Sequence, residues 1–188
     1  MAEILLTGIV LAGGKSSRMQ TDKGFVSYKG KLLIEHALDQ IRPFCEEILI
    51  SANRNEYRRF GYPLIKDTIY GIGPIGGIYS SVQKCSNDLC FITACDILGI
   101  NTGLVDEMTG KARGKELVCL KGKNDELQPL PVILHKNVLP CIEMQIERND
   151  FRLQNFIHIF NEQNPDDSEC VRKDIKLLNL NTMKDLEQ

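Results

Sequence analysis

The chain reads LLTGIVLAGGKSSRMQTDKG over residues 5–24. Leu5 to Leu11 is apolar and partly β-branched, which is typical of a buried strand, and Gly13-Gly14 ends it. The loop that follows carries the cations Lys15, Arg18 and Lys23. Glycines let backbone N–H groups approach phosphate oxygens, and cations offset phosphate charge. The stretch therefore predicts a phosphate-binding loop at the end of a strand.

Two common nucleotide motifs do not account for this loop. A Walker P-loop ending in Gly14-Lys15 needs a glycine at position 9, where the chain has Ile9. A formal G-x-G-x-x-G spans residues 71–76, and Asp96 follows twenty residues after its last glycine. A lone pattern of this kind is weak, and Pro74 favours a helix start in any fold.

Outward from this stretch, apolar segments of strand length alternate with segments of helical spacing. The expected strands are 5–11, 48–51, 63–67, 89–95, 116–120, 131–134 and 170–171, and the expected helices are 31–44, 55–60, 77–84, 104–111, 137–146, 152–160 and one at the end of the chain. Such alternation implies right-handed crossovers and a mainly parallel sheet. The turn 121–126 is too short for a crossover helix, so its flanking strands should be antiparallel. We therefore expect one α/β domain over residues 1–188, with a mixed central sheet.

Asp96 stands at the end of a strand expected to be central, because residues 89–95 are apolar on both faces. Ligands of open α/β sheets bind beyond the carboxyl ends of the strands, so Gly13, Asp67 and Asp96 should lie along one edge. A carboxylate held in this way suits Mg²⁺, which takes one or two carboxylates together with phosphate oxygens. Asp96 is the expected metal ligand, and a helix N-cap is its plainer alternative.

Composition narrows the function classes. The formal net charge is −2 and no long basic run occurs, so a nucleic-acid surface is not expected. The seven scattered cysteines include no C-x-x-C pair, which favours reduced thiols over a disulfide framework or a zinc site. The N-terminus lacks a basic leader, and no apolar run reaches the roughly 20 residues of a membrane span. We expect a cytoplasmic protein with neither nucleic-acid nor membrane partners.

The pattern V-L-A-G-G-x-S-x-R-M-x-x-D-K of residues 10–23 resembles the signature of the pyrophosphorylase-like nucleotidyltransferases and, within them, the molybdenum cofactor guanylyltransferases. Further blocks agree in order and spacing: residues 51–54, 65–67, 73–77 and 94–96, and the tail 179–182 with 185–186. The resemblance covers nearly the whole chain and implies a three-layer, Rossmann-like nucleotidyltransferase fold.

The resemblance also implies roles for individual residues. The implied GTP site consists of Leu11, Ala12, Gly13, Lys23, Asn53, Asp67 and Asp96, the implied molybdopterin site of Arg152, Asn179 and Asn181, and the implied charge-stabilising residues are Arg18 and Lys23. Asp96 would bind Mg²⁺. Three positions depart from the family pattern, namely Gln20, Leu98 and Gln128, and none of them removes a charged group that the chemistry needs.

By this resemblance the activity is transfer of GMP from GTP to molybdopterin, with Mg²⁺, release of pyrophosphate and in-line attack on the α-phosphate. A phosphate acceptor needs no general base. His36 and His158 are interpreted as packed or surface residues, and His135, which follows a strand, as a residue without a chemical role. Cofactor-biosynthesis proteins and recipient molybdoenzymes are the protein partners that this activity suggests. Two alternatives are a relative that uses CTP or a sugar phosphate, and a catalytically idle nucleotide- or partner-binding module.

Overall fold

A computed structural model describes residues 4–13, 22–122, 124–172 and 177–180. The strands are β1 Leu6–Leu11, β2 Ser27–Tyr28, β3 Lys31–Leu32, β4 Glu47–Ser51, β5 Leu64–Ile65, β6 Leu89–Ala94, β7 Ile97–Leu98, β8 Leu117–Lys121, β9 Leu127–His135, β10 Ser168–Arg172 and β11 Leu178–Asn179. The α-helices are α1 Leu33–Ile41, α2 Pro74–Val82, α3 Thr102–Lys111, α4 Leu139–Glu147 and α5 Leu153–Gln163. Short 3₁₀ helices span Lys23–Phe25, Asn55–Phe60 and Lys136–Val138.

The described strands form one seven-stranded sheet in the order β10-β8-β9-β6-β1-β4-β5 and two small antiparallel pairs, β2–β3 and β7–β11. The pairs β1–β4, β1–β6, β4–β5 and β8–β10 are parallel. Strand β9 runs antiparallel to both β6 and β8. The prediction of a mixed, mainly parallel sheet with one antiparallel insertion is confirmed.

Helices cover both faces of the sheet, which makes three layers. One apolar cluster lies between the sheet and α1 and α3, and a second lies between the sheet and α2, α4 and α5. In α1 the buried residues are Leu33, Ile34, Ala37, Leu38 and Ile41, the spacing of a helix with one apolar stripe. Glu35 supports the start of α1, because its carboxylate accepts the Leu32 backbone N–H at 2.7 Å.

Several expected elements differ in extent or type. The 55–60 segment is a 3₁₀ helix, and β5 is shorter than the strand expected over 63–67. Strand β9 is longer than expected, because a register shift between Val118 and Leu120 lets pairing continue past Pro129 and Pro131. Strands β7 and β11 were not expected, since two-residue strands leave no periodic signal. The helix expected after residue 182 lies outside the described residues.

Within the described segments, no helix is both long and apolar enough to cross a membrane. The seven cysteines are all free thiols, and Cys85, Cys90, Cys95 and Cys119 are buried. The interpretation of the cysteines as reduced thiols in or near the core agrees with this arrangement.

Candidate active site

The carboxyl ends of four neighbouring strands form one continuous edge. Ala12 N donates to Ser51 O at 2.8 Å, and Cys95 N donates to Leu11 O at 3.0 Å, so the β1 end is tied to both of its neighbours. Ala52 N donates to Ile65 O at 2.9 Å. Because all four strands are parallel, their following loops leave on the same side. Gly13, Asn53, Asp67 and Asp96 therefore follow strand ends that share one edge, which was expected for Gly13, Asp67 and Asp96.

Lys23 and Asp96 meet at this edge. Lys23 Nζ lies 2.6 Å from Asp96 Oδ2, and the two side chains keep 24% and 17% of their surface exposed. Each side chain keeps part of its charged end open to solvent, so either group can meet a charged ligand. The pair is a site where positive and negative groups are both accessible to a charged ligand.

Asp22 fixes the turn that carries Lys23. Its side chain is only 6% exposed and lies 3.8 Å from the Arg54 guanidinium. The carboxylate accepts the Gly24 backbone N–H at 3.2 Å, which caps the 3₁₀ helix, and it accepts the hydroxyl of Tyr57. Tyr57 is fully buried. Burial and the bond to Asp22 both raise the pKa of Tyr57 above its usual range, so the phenol stays protonated and donates.

Sequence reasoning missed Tyr57. The signal was indirect, because it needs the close contact between Gly24 and the Tyr57 hydroxyl, which only the folded chain makes. A Cβ at position 24 would overlap the Tyr57 hydroxyl, so glycine is required by this close approach. Only the tertiary structure shows that the partner is a tyrosine from the 3₁₀ helix at 55–60.

Asn53 and Asp67 form a reciprocal pair on the other side of the β1 end. Asn53 Nδ2 donates to Asp67 Oδ2 at 2.8 Å, and Asp67 N donates to Asn53 Oδ1 at 3.0 Å. The first residues of α2 pack close by, since a Cβ on Gly77 would lie 2.6 Å from Ser51 Oγ and 3.4 Å from Asp67 Oδ1. The carboxylate and amide present fixed polar groups to a ligand at this edge.

Residues 8–165 match the model of the MobA-like NTP transferase domain. A probable molybdenum cofactor guanylyltransferase of Flavobacterium johnsoniae is 34% identical over 152 residues, 81% of this chain and 80% of the relative. The chain belongs to the MobA-like NTP transferase family. The molybdenum cofactor guanylyltransferase of Vibrio campbellii is 33% identical over 183 residues, 96% of this chain and 92% of the relative. Membership confirms the predicted family and the enzyme class, a nucleotidyltransferase.

Solved structures share the fold of this MobA-like chain. Molybdopterin-guanine dinucleotide biosynthesis protein A from Archaeoglobus fulgidus superposes with a TM-score of 0.78 at 20% identity, over 96% of this chain and 95% of that one. A nucleotidyl transferase from Methanothermobacter thermautotroptrophicus gives a TM-score of 0.80 at 14% identity, over 96% and 94% of the two chains. The expected nucleotidyltransferase fold is confirmed.

The tail of this MobA-like chain returns to the site. Strand β11 pairs antiparallel with β7, directly after Asp96, with Asn179 opposite Ile97. Leu180 N donates to Asp96 O at 3.0 Å, which fastens the tail to the backbone of the expected metal ligand. Asn179 is exposed on this strand. Arg18 and Asn181 lie outside the described residues.

Arg152 occupies the N-cap position of α5, and its side chain makes no capping hydrogen bond. Strand β10 runs parallel to β8, and α5 leads directly into its amino-terminal end. Helix α5 therefore begins on the side of the sheet where the strands of the site have their carboxyl ends. The Arg152 backbone N–H donates to Asp150 Oδ1 at 3.3 Å. A role in acceptor binding for Arg152 remains a prediction.

The residues fit a metal that arrives with the nucleotide. Among the described residues, no three His, Cys, Asp or Glu side chains are grouped to hold an ion by themselves. Mg²⁺ needs only one or two protein carboxylates when phosphates complete its shell, and Asp96 is the carboxylate expected to provide one. Burial raises the pKa of the neighbouring Cys95 thiol well above its usual range, so Cys95 is a neutral group beneath the site rather than a ligand or a nucleophile.

Proposed function

We propose that this protein transfers GMP from GTP to molybdopterin and releases pyrophosphate. The observation that carries the proposal is the position of the Lys23–Asp96 pair. It lies between the strand ends that lead to Gly13, Asn53 and Asp67 and the tail strand that carries Asn179. The relatives named molybdenum cofactor guanylyltransferase supply the substrate class.

In this proposal each group has a role set by its chemistry. The backbone of Leu11, Ala12 and Gly13 lies against the nucleotide, and the Asn53–Asp67 pair reads guanine and ribose. Lys23 and Arg18 stabilise charge on the triphosphate and on the departing pyrophosphate. Asn179, Asn181 and Arg152 hold the pterin phosphate. Asp96 and phosphate oxygens would hold Mg²⁺, which when bound supplies positive charge at the reacting phosphates.

The reaction is a displacement at phosphorus. An oxygen of the acceptor's terminal phosphate attacks the α-phosphorus of GTP, and the bond from that phosphorus to the bridging oxygen breaks. Pyrophosphate leaves with the bonding electrons. Such a transfer needs positioning and charge neutralisation rather than covalent help from the protein. The acceptor is already an anion at neutral pH, so no histidine or cysteine is required as a base.

Pyrophosphate release with each of the four nucleoside triphosphates, with and without molybdopterin, tests the proposal. We expect release only with GTP and molybdopterin together. Lys23→Ala should lower turnover on the order of 10²-fold, as loss of one charge-stabilising donor does. Lys111→Ala is the control, since it removes an exposed pair with Glu169 at the far end of α3. Turnover with CTP, or with a sugar phosphate as acceptor, would replace this function with another transfer.

A further inference from the structure

The turn that carries Lys23 depends on a single buried carboxylate. Asp22 accepts the Gly24 N–H, accepts the Tyr57 hydroxyl and faces Arg54. Arg54 is half-exposed and at 3.8 Å, whereas Tyr57 is fully buried and in direct hydrogen-bond contact. Hydrogen bonds to an ionised group are about twice as strong as neutral ones. Tyr57 is therefore the firmest side-chain partner that Asp22 has among the described residues.

Tyr57 is itself held rigidly. Its ring stacks on Phe25 with centroids 4.6 Å apart, and Phe25 is the last residue of the 3₁₀ helix that begins at Lys23. One side chain thus contacts both ends of the turn: the cap through its hydroxyl and the last residue through its ring. A rigid contact at both ends limits the directions in which Lys23 can point.

We propose that Tyr57 is a positioning residue, which through Asp22 aims the Lys23 ammonium at Asp96 and at the bound triphosphate. This inference rests on the proposed function for its reaction but not for its geometry. Tyr57 touches no reacting atom. Loss of its hydroxyl leaves Asp22 one donor short and the turn free to shift, while the ring packing is kept.

Tyr57→Phe tests this role. We expect kcat for pyrophosphate release to fall about tenfold, the rate equivalent of roughly 1.4 kcal/mol lost from a charged hydrogen bond. The KM for molybdopterin should change less than about twofold, because acceptor groups lie elsewhere. Tyr62→Phe is the matched control, since it also removes a hydroxyl that is hydrogen-bonded, to Arg42 Nε at 3.0 Å, away from the strand ends. An unchanged kcat in Tyr57→Phe overturns the proposal.

A double-mutant cycle separates positioning from general destabilisation. In the Lys23→Ala background, Tyr57→Phe should change turnover by less than about twofold, since the group that it positions is gone. The same tenfold loss in both backgrounds would show that Tyr57 acts on structure alone. Binding of inorganic triphosphate, measured by calorimetry, should weaken in Tyr57→Phe and in Lys23→Ala. Equal affinity in wild type and Lys23→Ala overturns the proposal, whereas triphosphate binding without transfer to molybdopterin would overturn only the proposed function.

A separate observation concerns two cysteines on the face of the sheet that packs against α2, α4 and α5. Cys119 on β8 and Cys170 on the edge strand β10 are register partners, and their sulfurs lie 2.7 Å apart. Asn161 Nδ2 lies 3.6 Å from each sulfur. The hydrogen bond from Cys119, with smaller contributions from Lys121 and Arg172, lowers the pKa of Cys170, which is also partly exposed. Thiolate character and access are what make a cysteine reactive.

We infer that Cys119 and Cys170 form a disulfide bond with each other when a low-molecular-weight disulfide acts as oxidant. This bond would link β10 covalently to β8. The Cys170 thiolate attacks one sulfur of the oxidant, whose S–S bond breaks and releases one thiolate. The Cys119 sulfur, losing its proton, then attacks Cys170 and expels the second thiolate. Two protein thiols are oxidised and one small disulfide is reduced to two thiols.

Intact-mass and peptide analysis after treatment with oxidised glutathione tests this inference. Wild type should lose two hydrogens and yield a Cys119–Cys170 peptide, and dithiothreitol should reverse both changes. Cys119→Ser should stop at one bound glutathione on Cys170. The internal control is Cys85–Cys90, whose sulfurs lie 3.1 Å apart but are both buried, so it should stay reduced. Bound glutathione without the internal disulfide in wild type, or no reaction at all, overturns the inference.

Discussion

Lys23 and Asp96 are 73 residues apart in the chain, yet their side chains form the closest charged contact of the site. A different element fixes the backbone of each residue. Lys23 lies in the capped 3₁₀ turn, and Asp96 lies between the end of β6 and the strand β7 that pairs with the tail strand β11. Neither position depends on the other for its backbone. Single substitutions here should therefore change chemistry more than folding.

Asp96→Asn should keep the fold and lose turnover. The amide has nearly the same volume but brings no charge to Mg²⁺, so we expect kcat to fall on the order of 10²-fold or more while the fold is retained. Asp39→Asn, which alters an exposed pair with Lys31, serves as the control. Wild-type turnover of the folded Asp96→Asn protein at limiting Mg²⁺ would show that the metal is held elsewhere.

Gly24→Ala should destabilise the protein, because the new Cβ would overlap the Tyr57 hydroxyl. Overpacking of this kind costs about 1–3 kcal/mol, which urea denaturation measures. Gly110→Ala makes the same chemical change in α3 at a position with open space around it. It should raise stability by about 0.5–1 kcal/mol, since alanine is the better helix former. Equal effects of the two substitutions would remove the steric argument for Gly24.

The short strands are the elements that complete the site. Strand β7 follows Asp96 by one residue, and β11 pairs with it. Neither strand contributes to the seven-stranded sheet, but together they bring the tail to the carboxyl edge. In the proposed function, the acceptor side of the site therefore depends on a strand pair with only two residues on each strand.

The double variant Asn179→Ala, Asn181→Ala should weaken molybdopterin binding and leave GTP affinity nearly unchanged, because the nucleotide loops belong to other elements. A helix-capping role for these asparagines predicts a different result: a loss of about 1 kcal/mol of stability per cap with no selective effect on the pterin. Melting temperature, GTP affinity and pterin affinity are measured together on the same samples. Unchanged pterin affinity would leave the acceptor site unassigned.

At the scale of the whole molecule, one carboxylate connects the amino-terminal ends of three strands, on the side of the sheet opposite the site. Glu47, at the start of β4, accepts from Thr7 Oγ1 of β1 at 2.7 Å and from the backbone and hydroxyl of Ser86, each at 2.8 Å. Ser86 lies just before β6. Although burial opposes it, hydrogen bonds from Ser86 and Thr7 lower the pKa of Glu47 below its ordinary 4.5.

The stability that Glu47 provides should therefore depend on pH in one direction. Because the folded pKa is the lower one, the contribution is complete above about pH 4.5 and is lost as the pH falls through the folded value. The difference in melting temperature between wild type and Glu47→Gln should be constant from neutral pH down to about 5 and shrink in more acidic buffer. A difference that grows on acidification would contradict this assignment.

Local patterns were enough to predict the α/β class, the mixed sheet and most of the elements, because buried strands and amphipathic helices have periodicities of their own. They also indicated the residues at strand ends, since parallel strands expose their carboxyl ends on one side. Asp67 and Asp96 could be predicted from the sequence because each follows a predicted parallel strand. Element ends were less predictable, as the shortened β5 and lengthened β9 show, because pairing with neighbours sets where a strand stops.

Contacts between distant segments were decided by the tertiary structure alone. Tyr57 carries no motif, and its bond to Asp22 spans 35 residues, so no local pattern indicates it. The pairing of β11 with β7 and of Cys119 with Cys170 likewise arises from the order of strands in the sheet. By itself the sequence determined which residues could serve a nucleotidyltransferase, since charge and backbone freedom are properties of single residues. Which of them touch is a property of packing, because many registers bury the same apolar residues and only the folded chain selects one.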